Sequence, residues 1–325
     1  MKSRFLSSIA VTTALAVCAL SSPARADHPW QDVSSPAHVV QDSPVASVGS
    51  TVLLAMGDGR FLALDPQGHP VQIDSENVAH PFGSDAPGKL VALTRDDADI
   101  WGLTDSDQLS LVHFSAQGNV VGTVPLKDAT IAGSHLVALQ VSRGHAYLVD
   151  EAKPALVVAN LSDGKSKRFL GYDASLTGRR PLLRDGKISY GPDGRPQAGG
   201  NVRFLALDNK GQWLFYQPAC GPLYRIDTAL LTDPNFTPVE QLDGIVEWRD
   251  TPGLGGLTLS PDNVFYMSDI TEGALLKFGA DRIPQRLMRD RRMIDAGALA
   301  VAPNRQIAVL TDENGTTHIL RIALP

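Results

Sequence analysis

The chain has 325 residues, of which 43% are hydrophobic and 20% charged, and it carries a formal net charge of −6. This is the composition of a folded protein and excludes a disordered one. The acidic balance, with no basic stripe, argues against a nucleic-acid partner.

Taken in chain order, the first signal is a targeting segment. Lys2 and Arg4 precede a small apolar run from Ile9 to Leu20, and Ala24-Arg25-Ala26 follows before Asp27. This pattern predicts a signal peptide over residues 1–26 and a periplasmic or extracellular location. The run is shorter than the ~20 residues of a spanning helix, and no later stretch approaches that length, so no membrane association is expected after cleavage. Cleavage takes three of the 29 basic side chains and none of the 35 acidic ones, which deepens the net charge to −9. It also removes Cys18 and leaves Cys220 alone, so no internal disulfide is expected. Cys220 lies in the turn Pro218-Ala219-Cys220-Gly221-Pro222 with no base nearby in sequence, and reads as a small, partly buried residue.

Residues 27–48 are rich in Pro, Ser, His and Asp and read as an extended segment able to supply a ring-closing strand. Gly57-Asp58-Gly59-Arg60 marks a tight turn between Val52–Met56 and Phe61–Leu64. Four strands follow in a second unit, running from Lys89 to Leu126, and four in a third, from His135 to Leu170. An insertion at about 171–200 holds Arg179, Arg180, Arg184, Lys187 and Arg195, with a small hairpin turning at Asp185-Gly186. Three further units start near Val202, Leu257 and Ala298. Thr228–Leu231 and Arg289–Arg292 read as single helical turns.

One apolar strand recurs in each unit: Val52–Met56, Ile100–Leu103, Ala146–Val149, Trp213–Tyr216, Val264–Met267 and Gln306–Leu310, taken as the inner strands. Anchored at Leu53, Trp101, Tyr147, Leu214, Phe265 and Ala308, their spacings are 48, 46, 67, 51 and 43 residues. A period in the forties with several short strands per unit is the signature of propeller blades. The predicted fold is therefore all-β: a six-bladed β-propeller of four-stranded blades around a central channel, with residues 49–325 as one domain.

Residues just before each innermost strand face the channel at one end of such a ring. They are Lys89, Ser134-His135, Asn201 with Arg203, Leu254-Gly255 and Asp295. Lys89, His135, Asn201 and Arg203 form a set of donors, with Asp295 as a counter-charge, and are the candidate ligand-binding residues. Such a set favours an anionic or hydroxyl-rich small molecule, because arginine offers a two-toothed fork to a carboxylate. The competing reading is that Arg203 and Asp295 only neutralise each other. No H-x-x-x-H, H-E-x-x-H or G-x-S-x-G pattern is present, and no catalytic residue is assigned.

Several stretches resemble the royal jelly protein/yellow family. They are Leu90 to Asp105, His145 to Asp150, Pro154 to Val158 with Lys167-Arg168, and Phe204 to Leu207 with Leu214 to Pro218 and Leu223 to Ile226. The resemblance covers roughly residues 88–310. It implies a secreted six-bladed propeller and no single activity. More distantly the chain is similar in shape to gluconolactonase-like propellers, metal-dependent hydrolases that hold one divalent cation on a Glu, two Asn-type ligands and an Asp at the channel mouth. Here Arg203 and Gly255 stand at two of those positions. Arginine has no lone pair to give and repels a cation, so a Ca²⁺ or Mg²⁺ site is disfavoured and no cofactor is expected. The expected function is small-molecule binding by a monomer. The alternatives are a lactonase-like hydrolase and a protein-interaction scaffold.

Overall fold

The computed structural model describes residues 29–325 apart from 84, 85, 87, 106, 107 and 172. The expected signal peptide and Cys18 lie outside the described residues. The chain forms six sheets around a channel. Their strands run outward in sequence order in blades 1 to 5, from Leu53–Ala55, Leu90–Asp96, Leu136–Ser142, Val202–Leu207 and Leu254–Leu259. Blade 6 starts at Ala296–Ala302, continues through Gln306–Glu313 and Thr316–Ala323, and takes its outermost strand, His38–Pro44, from the other end of the chain. That strand pairs antiparallel from His38 opposite Ala323 to Pro44 opposite His318. Gln31–Asp32 adds a fifth, parallel strand to blade 5.

Local chemistry explains the turns. Arg143-Gly144 and Asn314-Gly315 are two-residue hairpin loops with both residues at positive φ (51° and 76°; 54° and 82°). This left-handed pair matches the twist of the strands it joins, and the second residue is glycine because it has no Cβ to clash.

Five of the six recurring apolar strands are the second strand of their blade, not the innermost. Only Val52–Met56 contains an innermost strand, and its counterpart in blade 1 is Phe61–Leu64. The reason is burial. A second strand is covered by neighbouring blades on both faces, so Phe265–Asp269 is buried throughout, and His145–Asp150 and Trp213–Pro218 are buried after their first residue. An innermost strand lines the channel, and Leu136–Ser142 alternates between buried and half-buried positions. Continuous apolarity therefore marks the second strand.

The core is divided in the same way. Six apolar clusters lie one at each blade interface, for instance Tyr147, Val149, Tyr216 and Tyr224 between blades 3 and 4, and Phe215, Phe265 and Met267 between blades 4 and 5. Each blade thus depends on two neighbours, and the ring must close.

A polar clasp accompanies the closing strand. Asp42 accepts hydrogen bonds from Arg292 Nη1 (2.7 Å) and from His318 Nδ1 (2.8 Å). Burial disfavours the ionised Asp42, but these partners outweigh it and hold the carboxyl below the ordinary carboxylate range. Asp42→Ala is expected to lower stability by about 1 kcal/mol in urea unfolding at neutral pH. The loss should fade as the pH falls below the unfolded carboxyl value of 3.8, because the native advantage belongs to the ionised form.

Candidate functional site

All six innermost strands run the same way, from what we term the upper face to the lower face. They enclose a channel of about 990 Å³. In blades 2 to 6 the pairing of the innermost strand breaks just after its first residue: at Leu90/Ala92, Leu136/Ala138, Val202/Phe204, Leu254/Gly256 and Ala296/Leu299. A bulge re-aims the extra side chain, and here the extra residues are Val91, Val137, Arg203, Gly255 and, in blade 6, Gly297-Ala298. Arg203 is the one charged residue in this repeated position.

Arg203 Nε lies 3.2 Å from Glu151 Oε1, and His135 Nδ1 lies 4.0 Å from Glu151 Oε2. Glu151 follows the second strand of blade 3, whose last residue, Asp150, is fully buried. Asp150 accepts from the backbone of His135 (3.0 Å) and Lys153 (2.9 Å) and pairs with Arg168 Nη1 at 2.9 Å. That carboxylate fixes the start of one strand to the end of the next. The Glu151 N–H then donates to His135 O at 2.9 Å, so Glu151 and His135 are held side by side. Lys89, His135, Glu151 and Arg203 all line the upper part of the channel.

The expected residues therefore separate. Lys89, His135 and Arg203 line the channel, while Asn201 and Asp295 do not. Asn201 Nδ2 donates to Glu151 O at 2.8 Å, so it clamps the backbone of the acidic residue. Asp295 accepts from Arg184 Nη1 at 2.6 Å, on the insertion, and does not balance Arg203. The counter-charge is Glu151, which the sequence reading missed. Its signal was available: a second strand ends at the face where an innermost strand begins, so the acidic pair after Ala146–Val149 also reaches the mouth.

The opposite wall is rich in glycine, where an added side chain has no room. A Cβ on Gly255 would lie 1.8 Å from Ala296 O, one on Gly256 2.3 Å from Gly297 O, and one on Gly297 2.1 Å from Ser50 O. The innermost strands of blades 5, 6 and 1 approach backbone to backbone, with Ala298 N donating to Ser50 O at 2.8 Å. Gly255, one of the positions that would carry a ligand in a lactonase-like metal site, is thus sterically closed.

The donor set fits a divalent cation poorly. Among the described residues no three His, Cys, Asp or Glu side chains converge. At this end the channel lining offers two carboxylates, Glu151, already paired with a guanidinium, and Asp65, paired with His69 Nδ1 at 2.9 Å, whereas Ca²⁺ takes 6–8 oxygen ligands.

The insertion arches over the same upper face. Its hairpin pairs Leu183–Arg184 with Lys187–Ile188, and Gly186 N donates to Thr271 O of blade 5 at 2.7 Å. Three of its basic residues are staples: Arg179 to Glu247, Arg180 to Asp250, and Arg184 to Asp295. Cys220, buried beneath it, has its thiol pushed up by burial.

The lower mouth is acidic, its lining holding Asp96, Asp97 and Asp208 as well as Arg95. Burial, then the charges of Asp97 and Asp99, raise the Asp96 carboxyl above its ordinary value.

Comparison with known protein families finds no match. Over 67 residues, 21% of its length, the chain is 31% identical to the serine/threonine-protein kinase PknB of Mycobacterium leprae, and it spans only 11% of that protein. Solved structures are similar over nearly the whole chain. A gluconolactonase from Xanthomonas campestris has a TM-score of 0.55 at 9% identity, covering 93% of this chain and 99% of that one. Regucalcin, a calcium-binding protein from Agrobacterium tumefaciens, has 0.55 at 12%, covering 90% and 95%. Virginiamycin B lyase from Staphylococcus aureus has 0.54 at 11%, covering 88% and 99%. At these identities the likeness is one of fold, a six-bladed β-propeller.

Proposed function

We propose that this propeller binds a small hydroxylated carboxylate at the upper mouth of its channel. The observation that carries the reading is the Arg203–Glu151–His135 cluster, set on the one charged bulge of the ring and joined in the channel by Lys89. The cluster is net cationic. Arg203 and Lys89 can donate to a carboxylate, while Glu151 and His135 can exchange hydrogen bonds with hydroxyls. Half-exposed Arg203 is held by Glu151 yet open to solvent (48% of its side chain), which suits a group that must meet a ligand.

The reading extends to export of the chain after removal of residues 1–26, to action as a monomer, and to the royal jelly/yellow kind of propeller, on the strand segments that resemble it. A lactonase-like hydrolysis has the support of overall shape alone, since the mouth lacks the oxygen ligands that such a cation requires.

Calorimetric titration with sugar acids and the matching neutral sugars tests the proposal. Sugar acids are expected to bind and neutral sugars to bind weakly. Arg203→Ala should weaken the sugar acid by about tenfold or more, the loss of one charge-assisted contact. An unchanged affinity in Arg203→Ala would rule out the site.

A further inference from the structure

A second cationic site lies on the outer flank, between blades 4 and 5, away from the channel. Trp248 is the extra residue of a bulge in the outermost strand of blade 4, between the pairs Leu223–Arg249 and Tyr224–Glu247. Its ring packs against Phe215 (6.1 Å) and Phe278 (6.4 Å), which fixes it at the blade interface. The guanidinium of Arg225 lies 3.9 Å from the centre of Trp248 and 4.1 Å from that of Trp213, so it is sandwiched between two indoles. Arg282, in a turn of blade 5, stacks on Trp248 at 4.8 Å.

Two features set this group apart from a packing staple. Neither guanidinium has an ion-pair partner or an accepting side chain among the described residues, and Arg225 Nε is buried with no acceptor. By contrast, two arginines of the outermost strand of blade 5 meet carboxylates: Arg286 meets Asp32 and Glu272, and Arg289 meets Glu272. Burial, and after it the charge of Arg282, pull the Arg225 guanidinium below its ordinary value. Two like charges held on one indole, with an orphaned N–H between indole walls, lack an anion. Aromatic stacking fixes the planes of the guanidinium forks, which is the preparation that recognition of a tetrahedral oxyanion requires.

We propose that Arg225 and Arg282, framed by Trp213 and Trp248, bind a doubly charged tetrahedral oxyanion, a phosphoryl or sulfuryl group. Two charges on the ligand match the two unbalanced cations. The indole edges would cover an organic group attached to it.

The test is a tryptophan-fluorescence titration of the whole protein with inorganic phosphate, inorganic sulfate and a phosphate monoester, against sodium chloride at equal ionic strength. Trp213 and Trp248 are in contact with the reporting cation, so a saturable change is expected with the oxyanions and not with chloride. Arg282→Ala, a change at an exposed residue, should weaken it by about tenfold or more, and Arg225→Lys, which keeps the charge but loses the fork, should weaken it as well. Tighter binding of the monoester than of inorganic phosphate would support an esterified ligand; equal binding would support the free ion. No saturable response, or one that survives Arg282→Ala, overturns the proposal. A response abolished by Arg203→Ala places the ion in the channel instead; it defeats this proposal and leaves the channel-mouth reading standing.

Discussion

Gly255→Asp is expected to unfold the protein more readily, not to build a metal site. The added Cβ would meet Ala296 O at 1.8 Å, and backbone cannot swing away as the end of a flexible side chain can. To admit it, the innermost strands of blades 5 and 6 must part, and the hydrogen bond from Ala298 to Ser50 O in the next blade lies in their path. Overpacking of this kind costs about 1–3 kcal/mol or more, and a carboxylate against a carbonyl oxygen adds repulsion. At roughly 2–4 °C per kcal/mol for a domain of comparable size, the thermal midpoint should fall by roughly 5–10 °C. Scanning calorimetry measures the fall, and elemental analysis of the same sample should find no stoichiometric calcium. A variant as stable as the parent, with one calcium bound, would mean that the ring can relax to restore the ligand set and would revive a lactonase-like mechanism.

Asp269→Asn is expected to stabilise the protein at neutral pH. Asp269 ends the second strand of blade 5, at the position that Asp150 holds in blade 3, and is 4% exposed. Asp150 has Arg168; Asp269 has no ion pair among the described residues and accepts only from the backbone of Thr271 (2.7 Å) and Glu272 (3.2 Å). Burial, opposed by those two N–H groups and reinforced by the charge of Glu272, pushes its pKa up to about 6. The folded state therefore binds this proton more tightly than the unfolded chain, whose carboxyl ionises near 3.8. The resulting stability is fully present below that value and is lost as the pH rises to about 6. An amide keeps the accepting oxygen and cannot ionise, so it recovers the loss, about 3 kcal/mol at most, or roughly 6–12 °C, at pH 7. The advantage of the variant should vanish at pH 4. Thermal melts across this range measure it, and a variant less stable at pH 7 would show that the Asp269 carboxylate has a native role as an anion.

The apolar layers between blades were legible because burial on both faces writes continuous hydrophobic runs, as in Phe265–Asp269. The same rule misplaced the inner strands, since a channel-lining strand such as Leu136–Ser142 is half wet. Thr237-Pro238-Val239-Glu240 carried a readable helix start. The structure forms a helix over Pro238–Asp243, with Thr237 and Glu240 capping each other and the proline in the first turn. It went unread because six residues show too little periodicity. That Lys89, His135 and Arg203 line the channel followed from strand topology. The roles of Asn201 and Asp295 did not, because each depends on a partner far along the chain: Glu151 for one, Arg184 for the other. The bulge that singles out Arg203 has no signature in a lone sequence. The closures at Gly255 and Gly297 needed coordinates, because only there does a neighbouring carbonyl reveal that the missing side chain has no room.

The two mouths differ in charge, with Lys89 and Arg203 set among carboxylates above and acidic residues dominating below, so the site of a bound ligand discriminates between readings. The most direct measurement is a crystal structure of the protein soaked with a sugar acid such as gluconate. The expected density lies at the upper mouth, with the carboxylate in hydrogen-bond reach of the Arg203 guanidinium and a hydroxyl on Glu151. Density at the lower mouth beside Asp96 and Asp208, or an upper mouth left unchanged by a ligand that binds in solution, would contradict it.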